Sequence, residues 1–240
     1  MVMTLEGRMR EVLLGSKKNY QNLKDQFVFY LDNVSVDYGN CSALKDITLT
    51  VNPGEIFFVT GKSGAGKTTL LNVLAGDVTP TKGRVFGVDQ NVRFISQVFQ
   101  DLKLFEHRTC EENIWFSYDR SLYKNKNEFR SDMLELAKVL GIQDKLGDKV
   151  RDANGGLKQK VAMLRALMAR PNVLIADEPT SSLDKESSIK LFDVLNFYNI
   201  KRKLTVIWAS HNRELVKTFP GKIVHLENGK LIYSGHACFI

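Results

Sequence analysis

A run of residues in the first third of the chain has the composition of a loop that holds phosphate groups. Residues 61–69 read Gly-Lys-Ser-Gly-Ala-Gly-Lys-Thr-Thr and match the pattern G-x-x-x-x-G-K-[ST] at every fixed position. Glycines keep Cβ atoms out of the way, so that backbone N–H groups can surround a polyphosphate. We expect contacts to a nucleotide from Gly61, Lys62, Ser63, Gly64, Ala65, Gly66, Lys67, Thr68 and Thr69. Within this set, Lys67 should reach the β- and γ-phosphates and Thr68 should ligate Mg²⁺.

The segments on either side of the loop are of the kind that this pattern requires. The preceding run, 56–60, is continuously apolar and partly β-branched, which predicts a strand buried on both faces of a parallel sheet. The following run, 69–75, has helical spacing and is ended by Gly76. A strand, a loop and a helix in this order disfavour the alternative of a glycine-rich turn that matches by accident.

Two adjacent carboxylates form a second candidate group. Asp177 and Glu178 follow the apolar run 173–176, which predicts a buried strand. Sheets of α/β proteins bind their ligands at the carboxyl ends of the strands. Asp177 can hold Mg²⁺ and Glu178 can polarise the attacking water as a general base. Taken alone the pair would fit two surface acids at a turn equally well, but the phosphate-binding loop favours the catalytic interpretation.

Two further polar residues follow predicted strands. His211 comes after the run 204–209 and can reach the γ-phosphate from there, although a lone histidine is more often structural. Gln100 ends the predicted strand 92–99 and can touch Mg²⁺ or the attacking water. We therefore include both residues among the candidates for catalysis, and Gln100 also among the metal ligands.

Composition narrows the class of protein. The 240 residues, 43% of them hydrophobic, are enough for one large or two small globular domains. The net charge is +7, and the basic residues are spread along the chain and often alternate with acidic ones. This distribution favours a basic surface with some affinity for anionic lipid over nucleic-acid binding. Cys41, Cys110 and Cys238 are odd in number and far apart, so we expect neither disulfides nor zinc. No apolar run is long enough to span a bilayer, so if the protein acts at a membrane, a partner must hold it there.

The chain divides into an extension and a larger region. Residues 1–25 carry basic charge and apolar residues at helical spacing, which fits either an interfacial helix or a mobile tail, and Met9 is an alternative start. From 26 to 240 we predict a single domain, with β structure from Phe27, helices between about 102 and 170, and then alternating strands and helices. One helix, about 155–170, should begin at Asn154 as its N-cap.

The order of these motifs resembles the nucleotide-binding domain of the ABC ATPases. The resemblance rests on the loop 61–69, Gln100, the stretch 154–156, the run 173–178, the stretch 181–184 and His211. It implies an α/β P-loop fold with an antiparallel β subdomain and a helical subdomain inserted after Gln100. It also implies ATP and Mg²⁺ as cofactors, and Tyr38 as the aromatic residue that stacks on adenine.

The resemblance further implies an ATP-dependent homodimer that encloses two nucleotides. In such a dimer Asn154, Gly155, Gly156 and Asp184 of one subunit would contact the nucleotide on the other subunit's loop. The family stretch is usually Leu-Ser-Gly-Gly-Gln or Leu-Ser-Gly-Gly-Glu, whereas this chain has Ala-Asn-Gly-Gly-Leu at 153–157. We therefore expect slow hydrolysis, and the alternative is a regulatory module that binds ATP and barely hydrolyses it.

In finer detail, residues 58–71 and 99–113 are similar to the cell-division ATP-binding proteins of the FtsE type. That similarity implies an FtsX-like integral membrane partner, peripheral attachment through it to the cytoplasmic face of the inner membrane at the division site, and signalling to cell-wall hydrolases. The alternative is the ATPase subunit of an ABC transporter or of a lipoprotein-release or MacB-type exporter, since these share much of the same sequence.

Overall fold

The computed structural model describes residues 27–87 and 94–236. The predicted N-terminal extension, Cys238 and the first two residues of the predicted strand 92–99 lie outside the described residues. Among the residues that are described, no helix is both long and apolar enough to cross a membrane.

A small antiparallel sheet opens the described chain. It has the strand order β2-β1-β4, with β1 at Phe29–Tyr38, β2 at Cys41–Val51 and β4 at Lys82–Phe86. The apolar residues of β1 form two runs, 29–31 and 34–36. The pairing register with β2 shifts between them, next to Asn33, whose φ is 49°. This irregularity lets both runs keep their apolar side chains buried.

A larger sheet carries the loop and the acidic pair. Its strand order is β5-β6-β7-β3-β8-β9, formed by β3 Ile56–Thr60, β5 Ile95–Val98, β6 Val173–Asp177, β7 Thr205–Ser210, β8 Lys222–Glu227 and β9 Lys230–His236. The predicted buried strand is confirmed, because β3 pairs in parallel with β7 on one side and β8 on the other. The final hairpin turns at Asn228 and Gly229, whose φ values of 49° and 79° suit a two-residue turn.

The helices of the described chain are α1 Lys67–Ala75, α2 Cys110–Trp115, α3 Lys126–Val139, α4 Gly155–Met168, α5 Lys185–Arg202 and α6 Arg213–Lys217. Short 3₁₀ turns occupy Gln143–Lys145 and Val150–Asp152. The expected helical region thus contains α2 to α4, and α4 has the predicted N-cap at Asn154. Its end at Met168 precedes Pro171, as expected from the cost of proline within a helix.

Strand β3 separates two hydrophobic cores, because successive side chains of a strand point to opposite faces. Phe57 and Val59 pack in a core with Leu70 of α1 and the small sheet. Phe58 lies in the other core, where its ring centroid is 5.7 Å from that of Trp208, together with side chains of α3, α4 and α5. The sheet is therefore covered on both faces, and the loop after β3 opens at its carboxyl edge.

Candidate functional site

The loop between β3 and α1 depends on glycine for its path. Gly66 has a φ of 102°, and a Cβ atom there would lie 2.5 Å from the Ala43 carbonyl oxygen. Gly61 has a φ of 156°, and a Cβ atom there would lie equally close to the Leu226 carbonyl oxygen, at 2.5 Å. Any other residue would therefore collide with the backbone of a neighbouring strand.

The hairpin between β8 and β9 braces the loop. The Gly229 N–H donates to the Ala65 carbonyl at 3.2 Å, and the Lys45 N–H donates to the Gly229 carbonyl at 2.8 Å. The second of these hydrogen bonds joins the small sheet to the large one at the edge of the loop. The hairpin that contacts the loop is thus itself anchored to the small sheet.

The start of α1 presents free N–H groups. Its first helical hydrogen bond runs from the Leu70 N–H to the Gly66 carbonyl at 2.9 Å, so the N–H groups of residues 67–69 have no partner inside the helix. Together with the helix dipole they favour an anion. The Lys67 ammonium folds back over the loop, with Nζ 3.0 Å from the Gly61 carbonyl oxygen and 3.3 Å from that of Lys62. Positive charge and N–H donors therefore converge where the pattern predicts phosphates.

Two oxygen atoms suited to Mg²⁺ lie side by side. The Thr68 hydroxyl donates to Asp177 Oδ2 at 2.6 Å, and the Asp177 side chain is nearly buried at the end of β6. Hydroxyl and carboxylate oxygens are ligands that Mg²⁺ prefers. Gln100 lines the same cleft and can add an amide oxygen. The donor set therefore fits the predicted metal.

Glu178 lies between two positively chargeable groups. Its Oε2 is 2.9 Å from His211 Nδ1 and its Oε1 is 3.6 Å from Lys67 Nζ. The Glu178 side chain is 12% exposed, whereas that of His211 is 64% exposed and faces the open side of the cleft. The Glu178 backbone has a φ of 52°, a conformation that costs about 1–3 kcal/mol for a non-glycine residue. The carboxylate is thus directed towards the phosphate loop by its neighbours and by its own backbone.

These residues line one cleft of about 960 Å³. The structure brings the predicted Lys67, Thr68, Gln100, Asp177, Glu178 and His211 together there with most of the loop. Ala65 is an exception, since it is buried beneath the loop and its N–H donates to the Lys62 carbonyl.

Several residues that line the cleft were missed by the sequence reasoning, namely Cys41, Ser42, Ala43, Lys45, Arg213, His225, Asn228 and Gly229. They come from strands, from a turn and from the start of α6, none of which carries a motif of its own. The position of Arg213, two residues after His211, was the one local signal for it.

His225 shares a hydrogen bond with a residue of β3, since its Nδ1 lies 3.0 Å from the Thr60 hydroxyl. Burial, followed by the positive charge of Arg213, lowers the pKa of His225. It therefore contributes a neutral imidazole at physiological pH.

Tyr38 lies beside the cleft and not in its lining. The residue is 52% exposed at the end of β1 and pairs with Cys41 across the hairpin, while Cys41, Ser42 and Ala43 line the cleft. Stacking of Tyr38 on adenine stays a prediction.

The remaining predicted residues form a second groove of about 760 Å³. Asn154, Gly155, Gly156 and Asp184 line it, and among the described residues it shares none with the first cleft. Asn154 Oδ1 accepts the Leu157 N–H at 2.8 Å and caps α4, and Asp184 Oδ1 accepts the Ser187 N–H at 2.7 Å and caps α5. A single chain does not bring this groove to its own phosphate loop, which agrees with the expectation of a second subunit.

The sequence profile of the ABC transporter family matches residues 44–181, a span that contains the phosphate loop and both acids. The chain belongs to this family. As an ABC ATPase it has ATP with Mg²⁺ as its cofactor and ATP hydrolysis as its family's activity, so both predictions are confirmed at this level.

Curated relatives of this ABC ATPase are named for import. It is 35% identical over 217 residues to the methionine import ATP-binding protein MetN of Clostridioides difficile (strain 630), covering 85% of this chain and 67% of the relative. It is 33% identical over 222 residues to MetN 1 of Pectobacterium atrosepticum, covering 85% and 65%. It is 35% identical over 206 residues to MetN 1 of Bacillus thuringiensis subsp. konkukian, covering 80% and 60%. The chain thus spans about two thirds or less of the length of these relatives.

Solved structures agree on the fold. The dimeric structure of a bacterial ABC transporter cassette superposes with a TM-score of 0.77 at 28% identity and covers 87% of this chain and 98% of that one. A dimeric post-hydrolysis state of that cassette, bound to ADP and Pi, gives 0.75 at 28% identity with the same coverage of 87% and 98%. The predicted fold class is confirmed. The finer similarity to FtsE finds no support among the relatives named above, which are MetN proteins.

Proposed function

We propose that this chain is the ATP-binding and ATP-hydrolysing subunit of an ABC transporter of the import type. The observation that carries the proposal is the position of Glu178 between Lys67 and His211, opposite the Thr68 and Asp177 pair. The names of the MetN relatives favour import over export and over a role in division. Methionine, which those names specify, is the first cargo to test.

Each residue of the cleft has a role that follows from its position. The loop N–H groups and Lys67 bind the β- and γ-phosphates, and Thr68, Asp177 and Gln100 hold Mg²⁺. Bound Mg²⁺ supplies charge neutralisation at the transferred phosphoryl group. Glu178 accepts a proton from the attacking water, and His211 orients the Glu178 carboxylate through the 2.9 Å contact. The reaction is mainly one of positioning and charge stabilisation.

Two interfaces complete the proposal. The second groove contacts the nucleotide of a partner copy in an ATP-dependent homodimer, and the dimeric structure of the similar cassette supports this arrangement. An integral membrane partner docks on the segment 99–116, where Phe99, Phe105 and Phe116 are exposed and the rings of Phe105 and Phe116 lie 4.6 Å apart. The chain would then work at the cytoplasmic face of the membrane.

Phosphate release by the purified wild type, compared with Glu178→Gln, tests hydrolysis. Loss of the general base should lower the rate on the order of 10² to 10⁴-fold while ATP still binds. Release no faster than that of Glu178→Gln would refute hydrolysis and leave the regulatory ATP-binding module as the function.

The membrane partner distinguishes import from division signalling. The tagged Glu178→Gln protein is purified from its own membranes with ATP, which holds the closed dimer, and the captured protein is identified. A permease that, in the presence of methionine, stimulates ATP hydrolysis by the wild-type chain would establish import. An FtsX-like protein would instead establish the second candidate, an FtsE-type division ATPase, which residues 58–71 and 99–113 favour.

A further inference from the structure

The side chain of Gln159 connects helix α4 to the turn that carries Glu178. It is 3% exposed, although the pattern of phosphate-binding and acidic motifs assigns it no role. Its Nε2 donates to the Glu178 carbonyl at 2.7 Å, and its Oε1 accepts the Ser182 N–H at 3.0 Å. The Ser181 hydroxyl lies 3.5 Å from the same Oε1. One amide therefore engages both ends of the turn 178–182.

This turn needs external support because its first residue has a strained backbone. Glu178 has a φ of 52°, which a non-glycine residue keeps only where its surroundings hold it. Its N–H donates to the Ala209 carbonyl at 3.0 Å on β7, and its carbonyl accepts both Gln159 and the Ser181 N–H at 3.1 Å. Gln159 is the contact in this set that comes from the helical subdomain.

The same face of α4 touches the turn at two more residues. Gly155 and Gln159 are four positions apart and so lie on one side of the helix. A Cβ atom at Gly155 would lie 3.0 Å from Ser182 Oγ, and one at Gly156 would lie 3.0 Å from the Ser182 carbonyl oxygen. Close approach at the glycines thus sets the distance between helix and turn, and the Gln159 amide sets their register.

We propose that Gln159 is a positioning residue for Glu178. Its amide fastens the turn 178–182 to α4 and thereby fixes the direction in which the Glu178 carboxylate points, towards Lys67 and His211. A shift of α4 is transmitted to the general base through this amide. The inference rests on the ATP hydrolysis proposed above, and it adds a link between the helical subdomain and the catalytic carboxylate.

Two substitutions separate the functions of the amide. Gln159→Met keeps the length of the side chain and removes both hydrogen bonds. Gln159→Glu keeps an acceptor for the Ser182 N–H and removes the donor to the Glu178 carbonyl. Because misplacement of a catalytic group by about 1 Å can cost about 10²-fold, we expect kcat to fall roughly 10- to 100-fold in both variants. The KM for ATP should not change, since the phosphate loop is untouched.

Asn113 offers a matched control. It is also a buried amide that fastens a turn, since its Nδ2 donates to the Phe105 and Thr109 carbonyls and its Oδ1 accepts the Phe105 N–H. That turn lies outside the cleft. In the isolated chain, where no membrane partner contacts this segment, Asn113→Leu should lower the melting temperature and keep kcat per folded molecule. A merely structural role of Gln159 predicts the same behaviour for Gln159→Met.

Hydrogen exchange of the peptide that contains residues 178–184 tests whether Gln159 holds the turn, and it does not require ATP hydrolysis. We expect faster exchange in Gln159→Met, an intermediate rate in Gln159→Glu, and the wild-type rate in Asn113→Leu. Unchanged exchange in a folded Gln159→Met protein, or an unchanged kcat, would overturn the inference. If the wild type does not hydrolyse ATP, the proposed function fails by itself, and exchange still decides whether Gln159 holds the turn.

Discussion

The Thr68 hydroxyl lies 2.6 Å from Asp177 Oδ2, although 109 positions of sequence separate the two residues. The contact joins the first turn of α1 to the carboxyl end of β6. Parallel strands that end at one edge of a sheet make this meeting possible. The two oxygen atoms that we propose as Mg²⁺ ligands are therefore adjacent within a single chain.

Removal of the Thr68 hydroxyl should weaken metal binding. In Thr68→Val the side chain keeps its shape but loses the oxygen. Removing a residue that only orients a metal ligand lowers the metal affinity of a site about 10- to 100-fold. Removing a ligand itself should cost at least as much, so the Mg²⁺ concentration for half-maximal hydrolysis should rise by at least about tenfold. Titration of phosphate release with Mg²⁺ measures this, and Thr68→Ser is the control that keeps the oxygen. Equal titrations of wild type and Thr68→Val would place the metal elsewhere.

ATP should protect Cys41 from alkylation. Cys41 is exposed and lines the cleft, so a bound nucleotide would cover it. Cys110 is buried, and burial raises the pKa of its thiol, so it should stay unmodified until the protein unfolds. Peptide mapping after a short exposure to iodoacetamide, with and without ATP and Mg²⁺, gives both rates.

The control for this protection is Lys67→Ala, which loses the ammonium that we propose binds phosphate. Its Cys41 should react at one rate whether or not ATP is present. Protection that persists in Lys67→Ala, or none in the wild type, would show that the nucleotide does not occupy this part of the cleft.

Asn154 should be replaceable by serine at little cost in stability. Asn154 Oδ1 caps α4, and asparagine and serine are comparable N-caps, whereas Asn154→Ala should lose about 1 kcal/mol of unfolding free energy. Urea unfolding of the three proteins measures the difference. Equal stability of Asn154→Ala and the wild type would show that the cap contributes nothing.

The same serine substitution tests the expectation of slow hydrolysis. Asn154→Ser restores the polar residue that is usual in the family stretch, so phosphate release by the dimer should rise. An unchanged or lower rate would show that Asn154 does not limit turnover.

Glu112 should stabilise the fold at neutral pH and not in acid. Hydrogen bonds from the Thr109 N–H at 2.8 Å and from Arg108 at 3.1 Å favour its charged form, and the pKa of Glu112 is lowered. A lowered folded-state pKa gives stability that is present above the ordinary glutamate pKa of about 4.3 and is lost as the pH falls through the folded value. Glu112→Gln should therefore be less stable than the wild type at pH 7, and the two should converge in acid.

Thermal unfolding of both proteins from neutral to acidic pH measures this convergence. Glu135→Gln, an exposed position on α3, changes the net charge equally and serves as the control. A difference for Glu112→Gln that does not depend on pH would assign the effect to side-chain packing.

Local sequence patterns were sufficient to predict those features that depend on residues adjacent in the chain. The run 61–69 predicted the loop and the start of α1, because a glycine path and a helix N-terminus are properties of consecutive residues. The apolar run before Asp177 likewise predicted a strand and placed the acid at its carboxyl end. The cap at Asn154 was predicted for the same reason. The finer assignment to FtsE drew on resemblance across short segments, and the relatives favour the alternative of an ABC transporter subunit.

What the sequence by itself determined is the set of candidate groups for binding phosphate and Mg²⁺, since their types and spacing are local. Only the tertiary structure decided that Arg213 and His225 line the same cleft and that Tyr38 lies beside it. The same holds for the hydrogen bond from the Gln159 amide to the Glu178 carbonyl. These relations depend on the strand order of the sheet and on how α4 packs against it. Contacts between residues far apart in the chain arise from that packing, so no local pattern contains them.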